Sequence, residues 1–291
     1  MDQLRDALRF IRSSGYEFVA LDEIPSRLRR QPGGSRILGI TLDDGFADNL
    51  THGLPVFQEF RAPITVFPVT GFLNRTLMHW TVLASALLRE SDAILLENPQ
   101  GRPVEFACRS RGEKVRALAA IAGQGNAEQL LAALVKACNM RRLDPAGIMD
   151  QAYLSWEQLR VLSRDALVTV GVHCVTHTAL ASLTEEQAAA EMSSARAEIG
   201  AKTGVLPRHI AYPFGSPGEC GVREFRLARE LGFSTGYTTL RGNLHARHQN
   251  LLWSLPRHTL SLVRHSASVR YVRLSLSGFW DSPINGSLIR R

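Results

Sequence analysis

Asp43, Asp44, His173 and His177 have the residue types and positions that hydrolysis at a bound metal would need. The two aspartates follow the apolar run ILGITL and precede Gly45, so two like charges crowd together where a buried strand leaves the core. Adjacent carboxylates repel unless a cation lies between or beside them. The pair also fits a plainer role, capping the turn and helix that follow. His173 and His177 close the run ALVTVGVHC. On a straight strand residues four apart are roughly 13 Å from each other, whereas a single metal needs both ring nitrogens within about 2.1 Å. A turn is therefore expected between Cys174 and Thr176. Two histidines and a carboxylate with open positions suit a hydrolytic metal site, although an isolated HxxxH also occurs as two satisfied structural histidines.

A third segment, Ala211 to Gly215 (AYPFG), ends another apolar run. Pro213 pushes Tyr212 towards extended geometry and Gly215 permits a sharp departure, so the segment can present a backbone N–H and an aromatic ring to a ligand.

These residues need strands to carry them and helices to cover the strands. ILGITL reads as a strand buried on both faces. The amphipathic LTHGLPVFQEF follows as a helix, and PITVFPVTGFL completes a parallel strand–helix–strand unit. Residues 76–153 change character, with helical spacing in WTVLASALLRE, EKVRALAAIA and AEQLLAALVKAC, and read as a helical insertion. Alternation then resumes with the helix SWEQLRVLSRD, the strand ending at His173, a long helix capped at Thr184, and the strands HIAYPFG and FSTGYTT. LLWSLPRHTL is expected as a closing strand. Such alternation predicts an α/β fold, a parallel barrel or doubly wound sheet, with its chemistry at the C-terminal strand ends.

Composition narrows the function classes. The chain has 291 residues, 45% of them hydrophobic, enough for one large core with an insertion. Cys108, Cys138, Cys174 and Cys220 form no CxxC pair, which argues against a disulfide framework or a cysteine zinc site. The net charge is +7, but the arginines are spread out and not interleaved with aromatics, so a nucleic-acid partner is not expected. After residue 240 the bias is stronger: Arg241, Arg247, Arg257, Arg264, Arg270, Arg273, Arg290 and Arg291 face one acid, Asp281. Residues 266–291 read as a basic tail, either a solvated face or a contact for anionic membrane or a lipid-linked sugar. The N-terminal stretch lacks the apolar run of a signal peptide, and no run suits a membrane span. A cytoplasmic chain, peripheral to the inner membrane face if the tail binds lipid, is the expectation.

Taken together, TLDDG, HCVTH and AYPFG resemble the three motifs of the polysaccharide deacetylases, carbohydrate esterase family 4 with its NodB-type homology domain. The resemblance runs over roughly residues 36–262, so that 1–291 is read as one domain of this type carrying the 76–153 insertion. It implies a distorted (β/α) barrel of about seven strands and removal of N-acetyl groups from an amino sugar. Carried over, Asp43 is the general base, and Asp44, His173 and His177 hold a divalent metal, zinc first, with cobalt, nickel or manganese as alternatives. Tyr212, Pro213 and Phe214 line the substrate, and the Tyr212 backbone holds the developing oxyanion. Leu42 and Cys174 depart harmlessly from the family's Phe and Ser/Thr. Ala211 stands where an arginine that orients the base is often found. Arg257 is one candidate to replace it, and His258 the candidate general acid ahead of His245 and His248. Alternation along a strand would point Arg257 and His258 opposite ways, so they are not expected to serve the site equally. Two other readings stay open: hydrolysis of a different, cyclic amide on the same fold, or a degenerate sugar-binding domain.

Overall fold

In the computed structural model, residues 2–30, 36–260 and 269–277 are described. They separate into two compact units, Met1–Leu73 with Ser155–Arg291, and Asn74–Leu154. The first unit opens with α1 (Asp2–Ser13), β1 (Glu17–Phe18), α2 (Ile24–Arg30), β2 (Ile37–Leu38) and β3 (Ile40–Asp44). A π turn (Asn49–Gly53) and α3 (Leu54–Glu59) lead to β4 (Ile64–Pro68) and the single turn α4 (Thr70–Leu73).

The second unit carries α5 (Trp80–Arg89), β5 (Ala93–Glu97), β6 (Pro103–Ala107), α6 (Arg111–Ala122), α7 (Ala127–Met140) and α8 (Pro145–Ala152). The expected insertion was all helical, and here the structure differs. AILLE and PVEFA pair as an antiparallel ribbon, Ala93 opposite Ala107. Its turn is built by Asn98, whose Oδ1 accepts from Gln100 N and Arg102 N at 3.0 and 2.9 Å. Ile94, Leu96 and Phe106 bury one face of the ribbon with Leu83, Leu87, Ile121 and Leu134, giving the unit its own core.

The first unit resumes with α9 (Trp156–Leu162), β7 (Val168–Val170), α10 (Glu185–Thr203), β8 (His209–Ala211), α11 (Val222–Glu230), β9 (Thr235–Tyr237) and α12 (Val269–Leu276). Thr184 caps α10 as expected: its Oγ1 accepts from Gln187 N, and Gln187 Oε1 accepts from Thr184 N. The strands run parallel. β4 lies between β3 and β7, β8 pairs with β9, and single bridges join Val172 to Ile210 and Tyr237 to Leu255. Among the described residues no pairing joins the last strand of this run to β1, so the closed barrel of about seven strands is not described by these sheets. LLWSLPRHTL is likewise not a full strand. Only Leu255 bridges, because residues 252–254 turn.

Strand packing demands a glycine at position 171. A Cβ there would lie 2.3 Å from the fully buried Phe67 ring and 3.1 Å from His209 O. Phe67 in turn packs with Leu21, Ile24, Ala211, Tyr237 and Leu255. The basic tail falls mostly outside the described residues, Asp281, Arg290 and Arg291 among them, as does Arg264 just before it. Of it α12 is described, its Val272 buried with Ala7 and Ile11 of α1. No helix among the described residues is long and apolar enough to cross a membrane.

Candidate metal centre

Strand ends deliver the candidate side chains to one place. β3 and β4 are in parallel register, with Asp43 opposite Phe67 and Asp44 opposite Pro68. The chain then leaves β3 abruptly, since Asp44 and Gly45 have φ of 69° and 78°. A Cβ on Gly45 would lie 2.9 Å from Pro68 Cβ, so only glycine lets the exit pass against β4. Beyond β7, His173 N donates to Pro68 O at 3.1 Å. The expected turn follows, with Cys174 and His177 both in the left-handed region at φ 63° and 55°. Non-glycine residues rarely sit there unless the surroundings compel them, and such strain concentrates at functional sites.

The turn folds His177 back beside His173. Asp44 Oδ1 lies 3.3 Å from His177 Nε2 and 3.6 Å from His173 Nε2, and one potential ligand atom from each residue lies within 4.8 Å of the others. His173 Nδ1 is 2.7 Å from Ala211 O. A carbonyl can only accept, so Nδ1 carries the proton and Nε2 turns its lone pair towards Asp44. Burial lowers the pKa of both imidazoles, favouring the neutral form that binds metals. Burial raises the Asp44 carboxyl, with the Asp43 charge adding to it. Asp44 Oδ1 is also buried with no hydrogen-bond donor. An acceptor without a donor, facing the His173 lone pair and the His177 ring nitrogen, is costly until a cation enters. This donor set therefore fits a divalent ion.

Asp43 faces a different partner. Arg257 grips it with a two-pronged pair, Nη1 to Oδ1 at 2.8 Å and Nη2 to Oδ2 at 2.9 Å. The guanidinium is itself held by Thr41 Oγ1 at 3.0 Å and by Thr238 O, to which Nε donates at 3.0 Å. Burial is the largest single influence and would raise the Asp43 carboxyl; the charge and hydrogen bonds of Arg257, together with His173 and His177, outweigh it and hold the carboxyl below its ordinary value. The two neighbouring acids are thus driven apart, as expected when they have separate tasks. The arginine absent at Ala211 arrives from the far end of the unit.

His258, its neighbour, is tied elsewhere, with Nε2 2.9 Å from Asn243 Oδ1. His245 and His248 stack on each other with ring centroids 5.9 Å apart. In the third segment Tyr212 corrects the expectation. Its backbone N–H donates to Tyr237 O at 3.1 Å, extending the β8–β9 ladder, so it has no capacity left for an oxyanion. Its side chain is fully buried, the hydroxyl donating to Trp253 O at 2.7 Å. Pro213 is buried as well. Phe214 is the member of the segment that faces outward: it is half exposed, has φ 60°, and its ring centroid lies 4.7 Å from that of His177.

Sequence reasoning did not single out Glu191. Its carboxylate accepts from Val175 N, Thr176 N and Thr176 Oγ1 at 2.8, 2.9 and 2.8 Å. The signal was present in α10, where Ala188, Met192 and Ala195 are buried. An acid three residues after Ala188 and four before Ala195 lies on the inward stripe, where it needs a partner.

The chain is similar in family and fold to known proteins. A family model described as polysaccharide deacetylase matches residues 30–236. No curated protein matches the chain. Among solved structures, the Streptococcus pyogenes deacetylase PplD in complex with acetate has a TM-score of 0.60 at 17% identity, covering 94% of this chain and 86% of that one. IcaB from Ammonifex degensii has a TM-score of 0.56 at 16% identity, with coverage of 94% and 88%. The BpsB deacetylase domain from Bordetella bronchiseptica has a TM-score of 0.51 at 17% identity, covering 87% and 82%. At these identities the likeness is one of fold.

Proposed function

Because the chain belongs to the polysaccharide deacetylase family, we propose that it hydrolyses the N-acetyl group of an amino sugar in a metal-dependent reaction centred on Asp43, Asp44, His173 and His177. The observation that carries the reading is the division of labour between the adjacent aspartates, Asp44 turned to two imidazoles and Asp43 to Arg257. Asp44, His173 and His177 would hold the ion, and two imidazoles with one carboxylate suit zinc first, then cobalt, nickel or manganese. Bound there, a divalent cation supplies Lewis acidity towards the acetyl carbonyl and the attacking water.

The chain's own residues account for the other tasks. Asp43 takes the proton from water as general base, kept ionised and aimed by the Arg257 fork. The oxyanion contact moves from Tyr212 to Phe214, whose backbone N–H has no hydrogen-bond acceptor among the described residues, and whose ring covers one side of His177. His258 is the proposed donor to the leaving amine. Since Asn243 Oδ1 engages its Nε2, that role requires the contact to open; an unchanged kcat in His258→Gln removes it. The degenerate-domain reading rested on the missing arginine and on the unassigned acid; Arg257 supplies a guanidinium beside Asp43, and the acid rests on His258. A carrier-linked precursor or oligosaccharide on the cytoplasmic side of a membrane is the proposed substrate.

Metal content and acetate release, measured on one preparation, test the proposal. Wild-type protein should bind about one divalent ion and release acetate from an N-acetylated glycan panel that includes lipid-linked sugars. His177→Ala should lose the ion, and Asp43→Asn should keep it while losing acetate release. An Asp43→Asn protein as active as wild type would remove Asp43 as the base.

A further inference from the structure

The turn that brings His177 back to His173 is gripped from outside the metal centre. Two adjacent backbone donors of the turn end on one carboxylate: Glu191 Oε2 accepts from Val175 N at 2.8 Å and from Thr176 N at 2.9 Å. Glu191 Oε1 accepts from Thr176 Oγ1 at 2.8 Å. The acceptors of the same turn end on α4, where Thr70 N donates to Cys174 O at 3.2 Å and Gly71 N to Val175 O at 3.0 Å. Both positions in the left-handed region, Cys174 and His177, belong to this turn, and neither is glycine. Such a backbone holds its shape only when its surroundings over-determine it. Here α4 fixes one side and Glu191 the other.

Resting on the metal-centre reading above, we propose that Glu191 is a positioning residue for the metal centre. It ligates nothing itself; by clamping Val175 and Thr176 it sets where His177 Nε2 stands relative to His173 Nε2 and Asp44 Oδ1. Partners beyond the ligands orient them in this way, and losing one costs metal affinity about 10- to 100-fold. A carboxylate serving only to fasten α10 to the turn would change thermal stability and leave ligand geometry alone. Metal affinity and ligand-field spectrum therefore separate the two roles.

The test uses the full chain stripped with a chelator and titrated with Co(II), whose visible spectrum reports coordination geometry. Glu191→Gln keeps the side chain's volume but turns one accepting oxygen into a donor facing N–H groups. It should bind Co(II) about 10- to 100-fold more weakly, with an altered spectrum. Thr176→Val, which removes one of the three bonds, should lose a smaller factor. Should Glu191→Ala fail to fold, Glu191→Gln decides. If wild type binds Co(II) and Glu191→Gln matches it in affinity and spectrum, the positioning role is overturned alone. If wild type binds Co(II) yet releases no acetate, the substrate reading falls and the Glu191 comparison still stands. If wild type binds no Co(II), both fall.

Discussion

Replacing Arg257 with glutamine probes the pairing of base and guanidinium most directly. Arg257 gives Asp43 two charge-assisted bonds at 2.8 and 2.9 Å, with the two side chains 12% and 30% exposed. Removing one partner of a buried pair costs about 3–5 kcal/mol, because a charge is left uncompensated. Asp43 keeps some contact with water, so roughly half of that, about 2 kcal/mol, applies here. Because that cost falls on the charged carboxylate, the Asp43 carboxyl should move up when the guanidinium is lost. The sign follows from the groups present. In wild type the carboxyl lies below its ordinary value, so Asp43 stays ionised across the neutral range and its share of stability is lost only as pH falls through that low value. In Arg257→Gln burial is opposed only by the weaker influence of His173 and His177, the carboxyl moves up, and a base that must be ionised loses its proton-accepting form at higher pH. The acid limb of kcat/KM for acetate release, measured at saturating zinc, should therefore shift upward. The rate at neutral pH should also fall by about 10²-fold, as a misplaced catalytic group typically costs. Arg257→Lys keeps the charge without the fork, and should lose rate while shifting the limb less. An acid limb that does not move, with a rate within threefold of wild type, would refute the assignment.

Other perturbations read different parts of the structure. Asp44→Asn should lower zinc affinity by at least about 100-fold while leaving the metal-free protein as stable as wild type or more so at pH 8. The Asp44 carboxyl is raised by burial, so its charged form opposes folding and that cost grows as pH rises; an apo protein less stable at pH 8 would contradict this. Gly171→Ala drives a Cβ to 2.3 Å from the Phe67 ring and should cost about 1–3 kcal/mol or more in thermal unfolding. A melting temperature equal to wild type would show that the strands can separate there. Tyr212→Phe removes the hydroxyl bonded to Trp253 O and should cost about 1–3 kcal/mol of stability. Since the ring lies in the core, KM for an acetylated glycan should stay within about twofold; a tenfold rise would put the side chain at the substrate.

Local pattern and residue chemistry carried the sequence a long way. Strand ends rich in Asp, His and Gly marked the centre, because a sheet's apolar period stops where polar side chains take over. A turn between Cys174 and Thr176 followed from reach alone, since a straight strand cannot place both rings on one ion, but its left-handed residues, Cys174 and His177, did not. Pairings between distant residues were not legible in the same way. Arg257 lies 214 positions from Asp43, and whether it or His258 faced the base depended on how the segment after β9 crosses the sheet. Its expected strand pairing proved to be one bridge at Leu255. The ribbon of β5 and β6 was hidden for a related reason: two five-residue runs acquire strand character by pairing across Asn98–Gly101, while their neighbours read as helix. Tyr212 was assigned a substrate contact that the β8–β9 ladder had already used, and only the ladder's register reveals that. The sequence by itself determined the candidate metal-binding side chains and the fold class, both of which rest on residue chemistry and short-range periodicity. The tertiary structure alone decided which arginine meets Asp43, that the Tyr212 amide is spent on the ladder, and that Glu191 bonds to the histidine turn, because hydrogen bonds between distant segments depend on strand order and register.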